Sequence, residues 1–147
     1  MCNPFGSASF VSNFSGVPHQ WQQSTDSVNF TNIVDNANFS GTNTSVLNLT
    51  NIPSSWYGYQ YRYIVNGYSY QVFTLKFSNN WVGNVDNDWN NPANWSCGSV
   101  PDAFTDVNIQ CCGITINVTQ NCSVRSLTIL SGATVNVNSG VVFTIIH

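Results

Sequence analysis

From Phe10 to Phe77 apolar and polar residues alternate over short runs, and turn-forming residues interrupt the runs at intervals of about ten residues. No window repeats apolar residues at helical spacing, so the pattern predicts an all-β chain. The clearest predicted strands are SFVSNF, HQWQQS, SVLNLT and YQYRYIV. The last runs into Asn66-Gly67, a dipeptide suited to the two positive-φ positions of a tight hairpin, and YSYQVFTLKF returns from it. In that register Val65 faces Tyr68, Tyr63 faces Tyr70 and Tyr61 faces Val72. The apolar phase then changes from Tyr68, Tyr70, Val72 to Phe73, Leu75, Phe77, which predicts a β-bulge near Val72-Phe73.

The C-terminal end has a different period. Leu127 and Ile129, Val135 and Val137, and Phe143 and Ile145 recur every eight residues, with Ser131-Gly132 and Ser139-Gly140 between them. Equal spacing of inward pairs and turns predicts stacked rungs, as at the start of a β-solenoid, or a short meander. The final run, Val141, Val142, Phe143, Thr144, Ile145 and Ile146, carries no charge, proline or glycine. Those are the devices that normally keep an edge strand from pairing, so this edge is expected to pair with a neighbouring module or an identical subunit. Two domains are expected, 1–78 as a β-sandwich and 79–147 as a Trp/Asn-rich β module.

Composition narrows the partners. Of 147 residues 42% are hydrophobic and only 6% charged, against roughly 25% charged in an average domain. The polar surface must come from uncharged side chains, including 22 asparagines. With three Lys and Arg residues (Arg62, Lys76, Arg125) and a net charge of −3, the chain has no electrostatic footprint for nucleic acid or an anionic bilayer. No run is long enough for a membrane-spanning helix, and MCNPFGSASF has neither the basic end nor the apolar stretch of a signal peptide. No membrane insertion is expected. The five cysteines, Cys2, Cys97, Cys111, Cys112 and Cys122, suit an oxidising, extracellular or cell-surface setting, and an odd number leaves one over. Pairing is expected among Cys97, Cys111, Cys112 and Cys122, with Cys2 unpaired or linked to another chain.

The stretch NNWVGNVDNDWNNPANWSCGSVP, residues 79–101, holds the densest candidate chemistry. Asp86, Asp88 and Asn90 alternate like the first ligands of a calcium loop. The sixth position is Asn91 where a sharp turn needs glycine, and the twelfth is Cys97 where a bidentate glutamate belongs, so an EF-hand is excluded and only a looser calcium site is left. Otherwise no cofactor is expected. Trp81, Trp89 and Trp95, together with Tyr59, Tyr68 and Tyr70, are candidates for a carbohydrate platform if a ring is exposed; otherwise the tryptophans fold over the end of a small β unit. No catalytic residues are expected. His19 lies in a predicted strand, His147 is terminal, and neither Asp86/Asp88 nor Asp102/Asp106 has the apolar surround of a glycosidase acid. Eight N-x-S/T sequons, at Asn13, Asn29, Asn38, Asn43, Asn48, Asn94, Asn117 and Asn121, would carry glycans only in a eukaryotic secretory route.

Trp21 in an early strand and Tyr61 in a late one suggest an immunoglobulin-like sandwich, with Trp21 in the core and the Tyr61 hydroxyl on a backbone group at the strand corner. Position 63, where such a domain has its second cysteine, is Tyr63. CNPFGSASF, HQWQQSTDSVNFTNI and LNLTNIPSSWYGYQYRY resemble the immunoglobulin-like modules of large secreted and cell-surface proteins of Bacteroidetes. Trp81, Gly83, Trp89, Asn94, Trp95, Gly98, Val100 and Pro101 are similar to a W-x-G…W…NW…G-x-VP element of the same adhesin-like proteins, where strands like SLTILSGATVNV follow. Asp26-Ser27-Val28 likewise resembles a short O-glycosylation site of such proteins.

The resemblance implies a spacer, adhesive or recognition module without catalytic residues. The expected function is a non-catalytic extracellular structural or adhesive module, part of a surface adhesin or a self-assembling filament. The alternative is a carbohydrate-binding module, and an enzyme fragment would have to show hydrolase activity.

Overall fold

The computed structural model describes residues 1, 2, 4–110 and 113–147. The fold is nearly all β, with several sheets and two short 3-10 turns. The chain divides into two compact units, Met1 with Asn3–Lys76, and Cys2 with Phe77–His147.

The first unit contains β1 (Ala8–Val11), β2 (His19–Ser24), β3 (Thr31–Asn32), β4 (Phe39–Ser40), β5 (Val46–Leu49), β6 (Gln60–Val65) and β7 (Tyr68–Thr74). They form two antiparallel sheets, in the orders β1-β5-β4 and β3-β2-β6-β7. The period-two alternation of β6 puts Tyr61, Tyr63 and Val65 inside and leaves Gln60, Arg62 and Ile64 half-buried on the other face. Trp21 is paired with Tyr63 across β2 and β6 and is fully buried, its indole edge-on to the Tyr63 ring at 5.2 Å. Leu47 and Leu49 of β5 close the core from the other sheet. Phe10 of β1 stacks on both Tyr61 and Phe73, at 5.1 and 5.0 Å, so aromatic rings fill the space between the sheets where a disulfide is absent.

The β6–β7 hairpin turns at Asn66 and Gly67, whose φ values of 50° and 82° are both positive, as a tight hairpin requires. Val65 faces Tyr68, as the alternation predicts. The register then shifts earlier than predicted: Ile64 pairs with Ser69 and Arg62 with Val72, so Tyr63 stands opposite the two residues Tyr70 and Gln71. Tyr61 consequently faces Phe73 and not Val72. The cause is packing. With the extra residue at this point, Tyr70 stacks on Tyr63 and Phe73 reaches Trp21, while Val72 is turned outward.

The second unit contains β8 (Ser78–Asn80), β9 (Asp106–Ile109), β10 (Thr115–Val118), β11 (Cys122–Val124), β12 (Ser126–Ile129), β13 (Thr134–Val137) and β14 (Phe143–Ile145). Every pairing among them is parallel: β8 with β9, β9 with β12, β10 with β13 and β11 with β14. Asp106 lies beside Ser126, Thr115 beside Thr134 and Cys122 beside Phe143, so one turn of the chain takes about twenty residues and visits three sheets. This is a short β-solenoid, with β9-β10-β11 as one coil and β12-β13-β14 as the next. The eight-residue period therefore marks the sides of a single coil and not successive rungs, and parallel pairing excludes the meander.

Candidate functional site

The residues 81–101 form a knot at the β8 end of the solenoid. Trp81 and Trp95 make an antiparallel bridge, and the Trp95 Nε1 donates to the Trp89 carbonyl at 2.8 Å. Trp95 meets Trp81 and Trp89 edge-on at 5.1 and 4.7 Å, and Trp89 meets Phe143 at 5.0 Å. All three tryptophans are buried in one cluster with Val107, Ile109, Ile116, Val118 and Val124. A sugar platform needs an exposed ring face, so Trp81, Trp89 and Trp95 are corrected from carbohydrate candidates to core. Of the tyrosines proposed with them, Tyr70 is half-buried against Phe14 and Tyr63, Tyr59 stacks on Trp56, and Tyr68 is 71% exposed at the hairpin tip.

Asn94, which follows Pro92 in a short 3-10 turn, organises the knot. Its side-chain oxygen accepts from the backbone of Val85 and Asp86, at 3.1 and 3.2 Å. Its amide donates to Asp86 Oδ1 at 2.6 Å and to the Asp88 carbonyl at 3.0 Å. Four bonds are the full capacity of an asparagine side chain, which is why this one is buried without penalty. Gly83 is required by the same packing: its φ is 61°, and a Cβ there would lie 2.8 Å from the Trp81 indole nitrogen. The Nε1 atoms of Trp81 and Trp89 are buried with no hydrogen-bond partner among the described residues.

The calcium candidates belong to this network. Asp86 accepts from the Asp88 backbone at 2.9 Å and from the Asn91 amide at 2.9 Å in addition to Asn94, and these donors hold its carboxyl below the usual range. Asp88 Oδ1 accepts from the Asn90 backbone and the Thr119 hydroxyl, and Thr119 also bonds Asn90. Both oxygens of Asp86 and Oδ1 of Asp88 thus accept from N–H and O–H groups that a cation would have to displace. Among the described residues no three His, Cys, Asp or Glu side chains converge as metal ligands.

The loop also bonds the outer edges of β8 and β10 at one end of the solenoid. Asn117 on the outer edge of β10 receives the backbone N–H of Trp89 and donates its own to Asn87, while Asn80 exchanges bonds with Ser96. At the opposite end, β12, β13 and β14 each have one strand partner, on the side of the preceding coil. The run Val141 to Ile146 accordingly contains an edge strand, but as one of three in the same coil.

The cysteine expectation is overturned. Cys2 is joined to Cys97 by a disulfide across 95 residues, with a Cα–Cα distance of 5.5 Å, so it is neither unpaired nor intermolecular. The first-unit sequence hides this because Cys2 groups with the second unit while its neighbours in sequence do not. Among the described residues Cys122 is a free, half-buried thiol whose pKa is raised by burial. Cys111 and Cys112 lie outside the described residues. The disulfide is compatible with an oxidising compartment, and no helix is long and apolar enough to cross a membrane.

Sequence inspection also missed a contact of catalytic type, because Ser12 and His19 sit in no motif. His19 Nε2 lies 2.8 Å from Ser12 Oγ, with its Nδ1 2.8 Å from the Val17 carbonyl. Both side chains are buried, and the Ser12 oxygen already accepts from the Phe14 N–H, so the pair secures the β1–β2 connection. The Tyr61 hydroxyl accepts from the Gln23 side-chain amide at 3.5 Å, a side-chain partner where a backbone one was expected.

Residues 80–147 match a family model described as "Domain of unknown function (DUF8693)", a match confined to the second unit. No curated protein and no solved structure matches the chain.

Proposed function

We propose that the chain is a non-catalytic structural or adhesive module of an extracellular or cell-surface protein, acting through β-edge contacts. The observation that carries this is that, among the described residues, β12, β13 and β14 each pair only with a strand of the preceding coil, which leaves backbone groups on their other edges able to take a further strand. Nearly charge-free composition supports contacts made by backbone and apolar groups and not by ion pairing. The Cys2–Cys97 disulfide supports an oxidising location. The strand orders β1-β5-β4 and β3-β2-β6-β7, with Trp21 central in the second sheet, support an immunoglobulin-like first module and with it the likeness to Bacteroidetes adhesin-like proteins.

Alkylation of thiols on intact source cells, followed by mass mapping, tests the location: Cys2 and Cys97 should be bonded and peptides of the chain accessible to protease added outside. Reduced Cys2 and Cys97 in a protease-protected, cytosolic pool would overturn the proposal. Adhesion or surface-layer formation by cells lacking residues 77–147 tests the role, and unchanged behaviour counts against it.

A further inference from the structure

Every strand of the first unit, from Ala8 to Thr74, lies between Cys2 and Cys97 in sequence, and so do β8 and the three tryptophans of the knot. The disulfide therefore closes a covalent ring that contains the whole first unit. Residues 3–76 include no cysteine, so no cross-link of its own holds the two sheets of that unit together. Cys97, by contrast, is fixed firmly into the second unit. Its N–H donates to Asn79 Oδ1 at 3.1 Å, and the adjacent Ser96 donates its hydroxyl to the same oxygen at 3.1 Å and its N–H to the Asn80 carbonyl at 2.9 Å. Asn79 is fully buried, and its amide donates to the Ser99 carbonyl at 2.8 Å. Trp95, two residues before Cys97, is bridged to Trp81 within the core cluster.

We propose that the Cys2–Cys97 disulfide is a load bypass: tension running along the chain from ahead of Cys2 to beyond Cys97 crosses through the two sulfurs, so that the solenoid coils carry it and the first unit does not. Two covalent routes join these residues. One spans a Cα–Cα distance of 5.5 Å through the S–S bond, and the other runs through a backbone separation of 95 residues. The short route becomes taut first, and the long one stays slack however hard the chain is pulled. Forced unfolding follows the unfolding rate of the part under load, so the first unit keeps its Trp21 core while the coils are pulled apart. The bypass also limits reach. The roughly 50 residues from Cys97 to His147 extend to at most about 180 Å, and opening the ring adds about 340 Å, so the disulfide shortens the fully pulled chain about threefold. The proposal rests on the reading of the chain as a structural or adhesive module, the setting in which a chain is placed under tension.

Stretching single molecules of the full chain in optical tweezers, held through peptide tags joined to residues 1 and 147, is the test. Without reductant the chain should lengthen by no more than about 180 Å. After dithiothreitol, or in Cys2→Ser, it should lengthen by about 340 Å more, in steps that include unfolding of the first unit. Trp21→Ala should leave the trace without reductant unchanged and lower the unfolding force of the first unit only once the disulfide is open. If Cys2→Ser does not fold, the wild-type trace before and after dithiothreitol decides. The proposal is overturned by an unreduced chain that lengthens beyond the limit, by a Trp21→Ala chain whose unreduced trace changes, or by reduction that adds no length. These readouts use purified protein, so their failure is distinct from failure of the structural reading, which is judged on cells lacking residues 77–147.

Discussion

The indole Nε1 of Trp21 donates to the Thr44 carbonyl at 2.9 Å, linking the centre of one sheet of the first unit to the loop that enters β5 in the other. The ring is fully buried, so it supplies both apolar area and the one hydrogen bond its polar edge needs. Trp21→Ala removes both and is expected to cost about 3–5 kcal/mol. Trp21→Phe should cost less, since it keeps an aromatic body and loses mainly the bond to Thr44. Urea unfolding followed by circular dichroism checks the order; a Trp21→Ala chain that melts like wild type would remove Trp21 from the core.

Cys2→Ser opens a loop of 95 residues. Restored freedom in the unfolded chain is expected to lower stability by roughly 2–5 kcal/mol. Non-reducing digestion should yield one peptide pair carrying Cys2 and Cys97 from monomeric protein, and wild-type protein treated with reductant should unfold at the same denaturant concentration as Cys2→Ser. A disulfide-linked dimer through Cys2 would refute the pairing.

The strands whose inward faces are long and regular were readable from the chain itself. HQWQQS became β2 residue for residue, and YQYRYIV became β6 less its first tyrosine, because buried residues alternate along all of β6 and over the first four residues of β2. Thr31–Asn32 and Phe39–Ser40 carry no such signal, since two-residue strands are defined by their neighbours and not by their own period. The solenoid was half-legible. Like residues recur as TINV over TVNV in β10 and β13, but the turns between sides of a coil look the same as turns between rungs, and only pairing separates the two. For the tryptophan knot, the spacing announced a corner; that Asn94 is its hub is visible only when four partners converge on one amide.

Carboxylates should set the acid limit. Asp26 accepts from the backbone of Val28 and Asn29 and from the Asn29 and Ser24 side chains, which holds its pKa well below the usual carboxylate range. Asp35 is lowered by Thr42 and Asp86 by Asn91, Asp88 and Asn94. A folded pKa below the unfolded value of about 3.9 adds stability above that pH and loses it as pH falls through the folded value. The melting temperature is therefore expected to be level above about pH 5 and to drop below about pH 4, with a shallower drop for Asp26→Asn. Equal acid sensitivity in Asp26→Asn would show that its turn bonds do not outlast unfolding by any margin.

Calcium should have no effect on stability. The oxygens of Asp86 and Asp88 accept hydrogen bonds from Asn91, Asn94, Asn90 and Thr119, and binding a cation would require breaking that shell. Melting curves in millimolar calcium and in EDTA are expected to superimpose. A rise in melting temperature with calcium that Asp86→Asn abolishes would restore the metal site.

Asn94→Asp separates the hub from the rest of the knot through its pH dependence. The substitution keeps the shape and the acceptor toward Val85 and Asp86 but replaces an amide that donates 2.6 Å from Asp86 Oδ1 with a second carboxylate. A carboxylate at the buried position 94 is desolvated and repelled by the exposed carboxylate of Asp86 beside it, and the Asp88 carbonyl loses its donor. The introduced group should then have a folded pKa above its unfolded value, so its proton stabilises the fold: the deficit is greatest at neutral pH, roughly 3 kcal/mol, and shrinks as pH falls toward 4. Asn94→Ala loses all four side-chain bonds whatever the pH, so its deficit should not shrink in the same way. Urea titrations of both variants between pH 4 and 8, read by tryptophan fluorescence, check this. Parallel curves for the two variants would mean that the amide of Asn94 does not face Asp86 in solution.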